Sequence, residues 1–298
     1  MEPLKIAIIG LDTSHSVALP KLMQDPEVQD PVRELKAVTC LRFPTPFQSE
    51  QGQDDRQAYL ESIGVKVTRD FDEAVADCDA IMLEINDPSL HLEYFEKAAP
   101  LGKPIFLDKP FADTIENTRK IIEIGRKYNV RYFTASSLRF TVGLNGMLNQ
   151  GVDVNSAYAW GPLGKAAAGS SIVWYGVHTF EQIERIMGIG AETVTTVPSG
   201  KGVVCIVKYK DGRSAVAELN EDKWVYGAVV RDDAEKEAFC TIRGITPFYY
   251  SLLEKVRAFF LGIEDAVSIE ESFEVMALCE AADKSFNAGG TPVAVEQL

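Results

Sequence analysis

The sequence is poor in the residues that build disulfide-stabilised or zinc-stabilised folds. Its 298 residues include five cysteines and three histidines, and no two cysteines form a C-x-x-C pair. Widely separated cysteines fit neither a disulfide framework nor a zinc module, and they favour a reducing compartment. Because no histidines or cysteines stand at ligand spacing, the sequence predicts no metal site. We therefore expect a cytoplasmic protein without a structural metal.

Clusters of basic residues and long apolar runs are also missing. Thirty Lys and Arg against 44 Asp and Glu give a net charge of −14. So acidic a surface repels a phosphate backbone, and no nucleic-acid partner is expected. No apolar run approaches the roughly 20 residues that span a bilayer, and no signal peptide precedes the first strand. These absences predict a soluble protein with no membrane or nucleic-acid partner.

The first half of the chain alternates short apolar strands with helices. The predicted strands cover residues 4–9, 35–41, 65–68, 80–85, 105–107 and 130–134. A capping box at Asp113 and Glu116 predicts the start of one of the intervening helices. Connections too long for hairpins predict a doubly wound parallel sheet with right-handed crossovers. Residues 1–134 are therefore predicted to form a Rossmann-like domain.

The second half is predicted to be a separate α+β domain over residues 135–298. Two β-rich runs, 203–209 and 214–219, flank Asp211-Gly212, which is a strong hairpin signal. Residues 192–197 and 223–230 add strands, and 269–286 form an amphipathic helix. An open, mostly antiparallel sheet accounts for this pattern.

The loop after the first strand stands where dinucleotide-binding folds carry G-x-G-x-x-G. It reads Gly10-Leu11-Asp12-Thr13-Ser14-His15, so that without gaps Asp12 and His15 take the second and third glycine positions. Asp12, Thr13 and Ser14 are suitable caps for the next helix, and a plain capped turn is one interpretation. If Asp12 faces a phosphate at about 5 Å, repulsion costs about 3 kcal/mol, and Asp12→Gly is expected to tighten cofactor binding.

Further motifs follow in a specific order along the chain. Asn86-Asp87-Pro88-Ser89-Leu90-His91 comes after the fourth strand and Asp108-Lys109-Pro110 after the fifth. Leu138-Arg139-Phe140 follows the sixth strand, and Gly176-Val177-His178-Thr179-Phe180-Glu181 lies in the second domain. Together these motifs resemble the Gfo/Idh/MocA oxidoreductases, the relatives of glucose-fructose oxidoreductase and inositol dehydrogenase.

The resemblance implies an enzyme that uses NAD or NADP to oxidise or reduce a small-molecule substrate, a sugar, polyol or related carbonyl compound. It implies that Lys109 orients and polarises the substrate oxygen and that His178 is the catalytic acid and base. The implied cofactor-binding residues are Gly10, Asp12, Thr13, Ser14, Arg42, Asn86, Asp87, Pro88, His91, Asp108 and Lys109. The substrate-pocket candidates are Arg139, Trp174, Tyr175 and Glu181. It further implies a homodimer or homotetramer formed through the C-terminal sheet.

Three departures from the family pattern leave an alternative open. Trp174 stands where the family has Asp, four residues before His178, and Glu181 replaces another Asp. No acidic residue ends the second strand; Arg42 stands there instead, and it either contacts a 2′-phosphate, favouring NADP, or is an ordinary solvated side chain. The alternative is a catalytically weakened relative that binds a small ligand as a regulatory or structural protein. In that case Lys109 belongs to an ordinary turn and His178 is a buried structural residue.

Overall fold

The structure, a computed structural model, describes residues 2–28, 32–243 and 246–298. It divides into two compact units. Met1–Thr134 and Tyr249–Ser268 form the first unit, and Ala135–Phe248 and Ile269–Leu298 form the second. The chain thus leaves the first unit at the predicted boundary after residue 134. Unlike the predicted division, it returns to that unit for residues 249–268.

The first unit is built on a six-stranded parallel sheet in the order β3-β2-β1-β4-β5-β6, which confirms the doubly wound prediction. Its strands are β1 (Leu4–Ile9), β2 (Leu35–Leu41), β3 (Lys66–Thr68), β4 (Ala80–Leu83), β5 (Ile105–Leu107) and β6 (Tyr132–Thr134). The helices between them are α1 (His15–Gln24), α2 (Glu50–Ser62), α3 (Phe71–Val75), α4 (His91–Ala98) and α5 (Ile115–Tyr128). Thr114, rather than the predicted Asp113, caps α5 by accepting the Asn117 N–H at 3.2 Å. Asp113 accepts the Asn117 side-chain amide instead.

Strand register in this sheet determines which residues meet at its carboxyl edge. Ile9 of β1 pairs with Leu83 of β4, and Leu83 pairs with Leu107 of β5. The residues that directly follow these three strands, Gly10, Glu84 and Asp108, therefore emerge side by side. In open parallel sheets this edge is where ligands bind.

The second unit is built on a seven-stranded sheet in the order β12-β11-β7-β10-β9-β8-β13. Its strands are β7 (Ser156–Pro162), β8 (Ala191–Pro198), β9 (Gly202–Tyr209), β10 (Ser214–Asn220), β11 (Tyr226–Arg231), β12 (Glu237–Ile242) and β13 (Val293–Ala294). Its α-helices are α6 (Val142–Leu148), α7 (Val177–Met187) and α9 (Ile269–Asn287), whereas most of α8 (Thr246–Phe260) belongs to the first unit. All strand pairs are antiparallel except β7 with β10. The predicted mostly antiparallel sheet and the β9–β10 hairpin are confirmed.

The two faces of the second sheet differ in exposure. Side chains such as Ala159, Cys205 and Val207 are buried on the face against which α7 and α9 pack. The opposite face carries a row of paired side chains that runs across five strands: Ile206, Val216, Tyr158, Val229 and Phe239. Phe239 is 72% exposed and Ile206 is 38% exposed. We call this row the open apolar face.

Two further predictions concern the whole chain. All five cysteines are buried and free of disulfide bonds, as their spacing predicted. Among the described residues, no helix is both long enough and apolar enough to cross a bilayer.

Candidate active site

The loop after β1 begins at a position that only glycine can occupy. Gly10 has φ +110°, and a Cβ there would lie 2.3 Å from the carbonyl oxygen of Glu84. Its N–H donates to the Leu41 carbonyl of β2 at 3.0 Å. The single glycine that remains from the dinucleotide motif therefore serves the close packing of β1 against β4.

Asp12 does not face outward as a phosphate-repelling group. Its side chain is 1% exposed, and Oδ1 accepts the backbone N–H of Asn86 at 2.9 Å, while the Asn86 amide donates to the Asp12 carbonyl. Burial raises the pKa of Asp12, and the hydrogen bond from Asn86 opposes this effect. The carboxylate therefore joins the β1 loop to the β4 loop. The expected gain in cofactor affinity on Asp12→Gly has no basis in this geometry, because the substitution removes that link.

The N-terminus of α1 has one side-chain hydrogen bond to its backbone. Thr13 Oγ1 accepts the N–H of His15 at 3.2 Å, whereas the Ser14 side chain makes no capping hydrogen bond. The first turn of α1 contains no acidic residue. The Ser14 carbonyl accepts the N–H groups of Val17 (3.2 Å) and Ala18 (2.9 Å), so the helix dipole, more than open N–H groups, would attract an anion here.

His15, Glu84 and Asp108 form a polar cluster where β1, β4 and β5 end. His15 Nδ1 lies 2.6 Å from Asp108 Oδ2 and 3.9 Å from Glu84 Oε2. Burial raises the pKa of Asp108, but His15 and Lys109 outweigh it and hold the pKa at about 2. Asp108 is therefore an ionised acceptor, and His15 donates to it. Burial, with the charge of Asp108 adding to it, raises the pKa of Glu84 well above its usual range.

Lys109 follows Asp108 at the same edge of the sheet. Its side chain is 5% exposed, and its backbone N–H donates to Asp108 Oδ1 at 2.8 Å. The Asp108 carboxylate is thus held from both sides, by His15 and by the Lys109 backbone. This arrangement fixes the start of the Lys109-Pro110 turn beside the glycine loop.

Arg42, the predicted 2′-phosphate contact, is already bound within its own domain. Its guanidinium donates to Asp54 (2.7 Å), Gln57 (2.6 Å) and Glu50 (2.7 Å) on α2, and the side chain is 5% exposed. Of its nitrogens, only the buried Nε has no hydrogen-bond partner. Arg42 is therefore neither a solvated strand-end residue nor an open phosphate ligand. It holds two carboxylates, each more than half exposed, at the end of β2.

The other residues of the Asn86–His91 motif shape the turn after β4. Asp87 accepts the Ser89 N–H at 3.1 Å, and Pro88 begins a single 3₁₀ turn that leads into α4. His91 is fully buried, with Nε2 2.8 Å from the Ile85 carbonyl. Its ring bridges the chain on both sides of the turn, which supports a structural role.

In the second unit, His178 lies within a polar and aromatic cluster. Its Nδ1 is 2.7 Å from Ser136 Oγ, and the ring of Tyr175 packs edge-on against it at 4.9 Å. Trp174 in turn packs against Tyr175 at 5.1 Å. The residue that stands in place of the family's Asp therefore contributes to aromatic packing, and Ser136 is the side chain that orients the imidazole.

Arg139 and Glu181, two of the substrate-pocket candidates, are joined in a buried ion cluster. The Arg139 guanidinium contacts the carboxylates of Glu181 (3.4 Å), Glu184 and Glu271, and its side chain is 4% exposed. The three carboxylates engage both terminal nitrogens of the guanidinium. Burial raises the pKa of Glu181 to about 7, although the charge of Arg139 lowers it. The cluster therefore resembles a structural network more than a substrate-binding surface.

The elevated pKa of Glu181 predicts that the free energy of unfolding depends on pH. Unfolded Glu ionises near pH 4.5, whereas native Glu181 holds its proton up to about pH 7. The native state therefore binds more protons in this interval, and the free energy of unfolding falls as pH rises through it. Glu181→Gln is expected to lose this dependence and to gain up to about 3 kcal/mol relative to wild type between pH 5 and 8.

Urea unfolding at pH 5 and at pH 8 measures the free energy of unfolding of wild type and of Glu181→Gln. The control is Glu192→Gln, at an exposed position on β8. Besides burial, Arg139, Glu184 and the Ser136 backbone act on the pKa of Glu181. A wild-type-minus-variant difference that is constant with pH would contradict the prediction.

Sequence reasoning missed Glu84, His15 as a partner of Asp108, Ser136, and the pair Glu50 and Asp54. Glu84 interrupts an otherwise apolar run, and a charged residue at the carboxyl end of a buried strand is a signal that could have revealed it. The Glu50 and Asp54 contacts depend on the position of α2 against β2, which the sequence pattern does not specify.

Comparisons with known proteins agree with this architecture. Residues 4–136 match the family described as oxidoreductase family, NAD-binding Rossmann fold, which is the Gfo/Idh/MocA family. An uncharacterized oxidoreductase of Streptococcus pneumoniae serotype 4 is 26% identical over 161 residues, which cover 48% of this chain and 43% of that protein. The match thus spans less than half of the relative.

Solved structures share the complete fold at low sequence identity. GenD2 from gentamicin A biosynthesis, solved with NAD, superposes with a TM-score of 0.81 at 16% identity, covering 99% of this chain and 97% of that chain. Scyllo-inositol dehydrogenase from Lactobacillus casei, solved with NAD(H) and scyllo-inositol, gives 0.79 at 15% identity over 99% of each chain. A probable dehydrogenase from Thermotoga maritima gives 0.80 at 18% identity, covering 98% of this chain and 99% of that chain. At these identities the similarity establishes the fold.

Proposed function

We propose that this protein transfers hydride between a nicotinamide cofactor and a polyol, sugar or related carbonyl compound, because residues 4–136 match the Gfo/Idh/MocA oxidoreductase family with its NAD-binding Rossmann fold. The observation that carries the proposal is the position of Lys109. Its nearly buried side chain follows β5 at the carboxyl edge of the parallel sheet, where such sheets bind ligands.

The residues around this edge fit a dinucleotide. The first turn of α1 has no acidic residue, so the positive end of its helix dipole suits a pyrophosphate. Asp12, the one carboxylate in the glycine loop, has an oxygen bonded to Asn86. Gly10, Thr13, Ser14 and the Asn86–Pro88 turn would hold the cofactor, which supplies hydride transfer when bound.

Lys109 and His178 have distinct chemical roles in this proposal. The Lys109 ammonium attracts the substrate oxygen and stabilises the negative charge that develops on it during hydride transfer. His178 accepts the hydroxyl proton in oxidation and returns it in reduction. Ser136 holds the His178 ring in one orientation through the 2.7 Å contact to Nδ1.

We also propose that the protein prefers NAD to NADP. Arg42 fixes Glu50 and Asp54 at the end of β2, the position at which a carboxylate of a dinucleotide fold binds the ribose hydroxyls. Both carboxylates would repel a 2′-phosphate. The role that relatives give to one acidic residue after the second strand is here assigned to two acidic residues of α2.

The double variant Glu50→Gln, Asp54→Asn tests this preference. We expect the ratio of the NADP and NAD dissociation constants to fall by at least about tenfold, because a partly screened repulsion is removed. Isothermal titration calorimetry with each cofactor measures the ratio, and Glu61→Gln on the same helix is the control. If Arg42 instead binds a 2′-phosphate, Arg42→Gln weakens NADP binding alone, and the proposal is wrong.

We further propose that the second sheet mediates homodimer or homotetramer formation. The open apolar face places Phe239, Tyr158 and Ile206 in one row, and apolar side chains so exposed are stabilised by a partner surface. A second copy of the chain brings the same row and is a self-complementary partner.

Phe239→Glu is expected to convert the assembly to monomers at micromolar concentration, since it places a charge at the most exposed apolar side chain of the proposed contact. Size-exclusion chromatography with light scattering measures the mass. Phe286→Glu, at a 40% exposed phenylalanine of α9, is the matched control and should leave the mass unchanged. A wild-type protein that is already monomeric would refute the proposed assembly.

The function itself is tested by two measurements on the purified protein. Mass spectrometry of gently purified protein is expected to detect retained NAD or NADH, and nicotinamide absorbance is expected to report turnover on a panel of inositols, sugars and their keto forms. If neither a cofactor nor turnover is found, the regulatory or structural alternative replaces this proposal. The cytoplasmic location stays a prediction from the sequence.

A further inference from the structure

We propose that His15, Glu84 and Asp108 form a binding site for one divalent transition-metal ion, of the Zn²⁺ or Mn²⁺ type. These residues provide one imidazole nitrogen and two carboxylates, a ligand set that such ions accept. The candidate ligand atoms all lie within 4.8 Å of one another. The proposal is independent of the proposed dehydrogenase activity.

The spacing of the three side chains fits a common metal. Two ligands about 2.1 Å from a tetrahedral ion are about 3.4 Å apart. The observed separations from His15 Nδ1, 2.6 Å to Asp108 and 3.9 Å to Glu84, lie on either side of that value. Shifts of less than 1 Å therefore bring all three atoms into coordination range.

Glu84 is the observation that distinguishes this cluster from an ordinary group of acidic residues. Its side chain is fully buried, and neither carboxylate oxygen has a hydrogen-bond partner. Buried polar groups are normally satisfied, and leaving one without a partner is unfavourable. A cation coordinated by Glu84 and Asp108 supplies the partner that the Glu84 carboxylate lacks.

The surroundings hold the cluster in place and leave it an entrance. The backbone N–H of Lys109 donates to Asp108 Oδ1, which leaves Oδ2 directed at the cluster. The ring of Tyr249 packs edge-on against His15 at 5.2 Å. The His15 side chain is 13% exposed, so an ion can reach the buried carboxylates past it. Three protein ligands leave further coordination positions for water or a hydroxyl group of a small molecule.

The test is calorimetric titration of chelator-treated full-length protein, without cofactor, with ZnCl₂, MnCl₂ and MgCl₂ separately. We expect one Zn²⁺ or Mn²⁺ ion per chain, and a loss of affinity of at least about a hundredfold in Glu84→Gln and in His15→Asn. Glu93→Gln, at an exposed carboxylate of α4, is the matched control and should bind as wild type does. Equal affinity in wild type, Glu84→Gln and His15→Asn would place the ion on the acidic surface and overturn the proposal.

A second measurement keeps the proposal testable if a variant does not fold. Pulsed electron paramagnetic resonance of the Mn²⁺-loaded wild-type protein should show coupling to one imidazole nitrogen, and its absence overturns the assignment. If Glu84→Gln weakens NAD binding while wild type binds no metal, Glu84 is a cofactor contact and the proposal is wrong. Failure of the metal site leaves the turnover test of the proposed function unaffected.

Discussion

Replacing Lys109 with methionine is expected to lower turnover by about 10²–10⁴-fold while the protein stays folded. Methionine keeps the length and apolar stem of lysine but lacks the ammonium that we propose stabilises the developing negative charge. The Lys109 backbone N–H still donates to Asp108, so the turn after β5 is preserved. The effect should therefore appear in kcat more than in the dissociation constant of the cofactor.

Stopped-flow nicotinamide absorbance on the best substrate measures this loss, and near-ultraviolet circular dichroism verifies the fold. Lys120→Met, which removes an exposed lysine of α5 paired with Glu116, is the control with the same chemistry. A Lys109→Met protein with wild-type kcat would remove Lys109 from the catalytic residues.

His178→Ala is expected to cause a loss of similar size, because it removes the proposed proton carrier. Added imidazole should restore part of the activity, since a small base can occupy the space that the side chain leaves. A merely structural histidine would give a destabilised protein that imidazole does not rescue. Full activity in folded His178→Ala would show that another group transfers the proton.

Ser136→Ala provides a second, milder test of His178 as the proposed proton carrier. The hydroxyl lies 2.7 Å from His178 Nδ1, and in the proposed function it acts on the substrate through the ring. We expect a smaller fall in kcat than in His178→Ala, with an altered pH profile and little change in KM. A change in KM alone would indicate that Ser136 contacts the substrate instead.

Local sequence signals predicted the strands and helices, but they did not predict the contacts that side chains make across the fold. The apolar runs and the Asp211-Gly212 turn predicted the strands and the hairpin because burial and turn geometry are encoded within a few residues. Asp12 was different: its charge suggested a group facing phosphate, yet its partner is the N–H of Asn86, 74 positions away. The parallel pairing of β7 with β10 is likewise determined by tertiary packing rather than by any local pattern.

The same limit explains why the contacts of two candidate site residues were not predicted. Arg42 at a strand end was interpreted as either a phosphate ligand or a solvated side chain. Its carboxylate partners lie on α2, whose packing against β2 no spacing rule predicts. Arg139 stays a candidate for the substrate pocket, but the three glutamates that contact it were not foreseen. Charged side chains find partners through the whole fold, so their roles are the last feature that a single sequence determines.

The return of residues 249–268 to the first unit has a consequence for how the protein is synthesised. Phe259 packs on Phe133 of β6 at 4.8 Å, the Arg131 guanidinium lies 4.5 Å from the Phe259 ring, and Arg257 donates to Glu34 at 2.8 Å. On the ribosome, the first 134 residues emerge well before these partners exist. While the following 114 residues, 135–248, are translated, Phe133 of β6 in the nascent N-terminal domain therefore lacks its partner Phe259. That interval is the stage of biosynthesis at which chaperone binding or misassembly is most favoured.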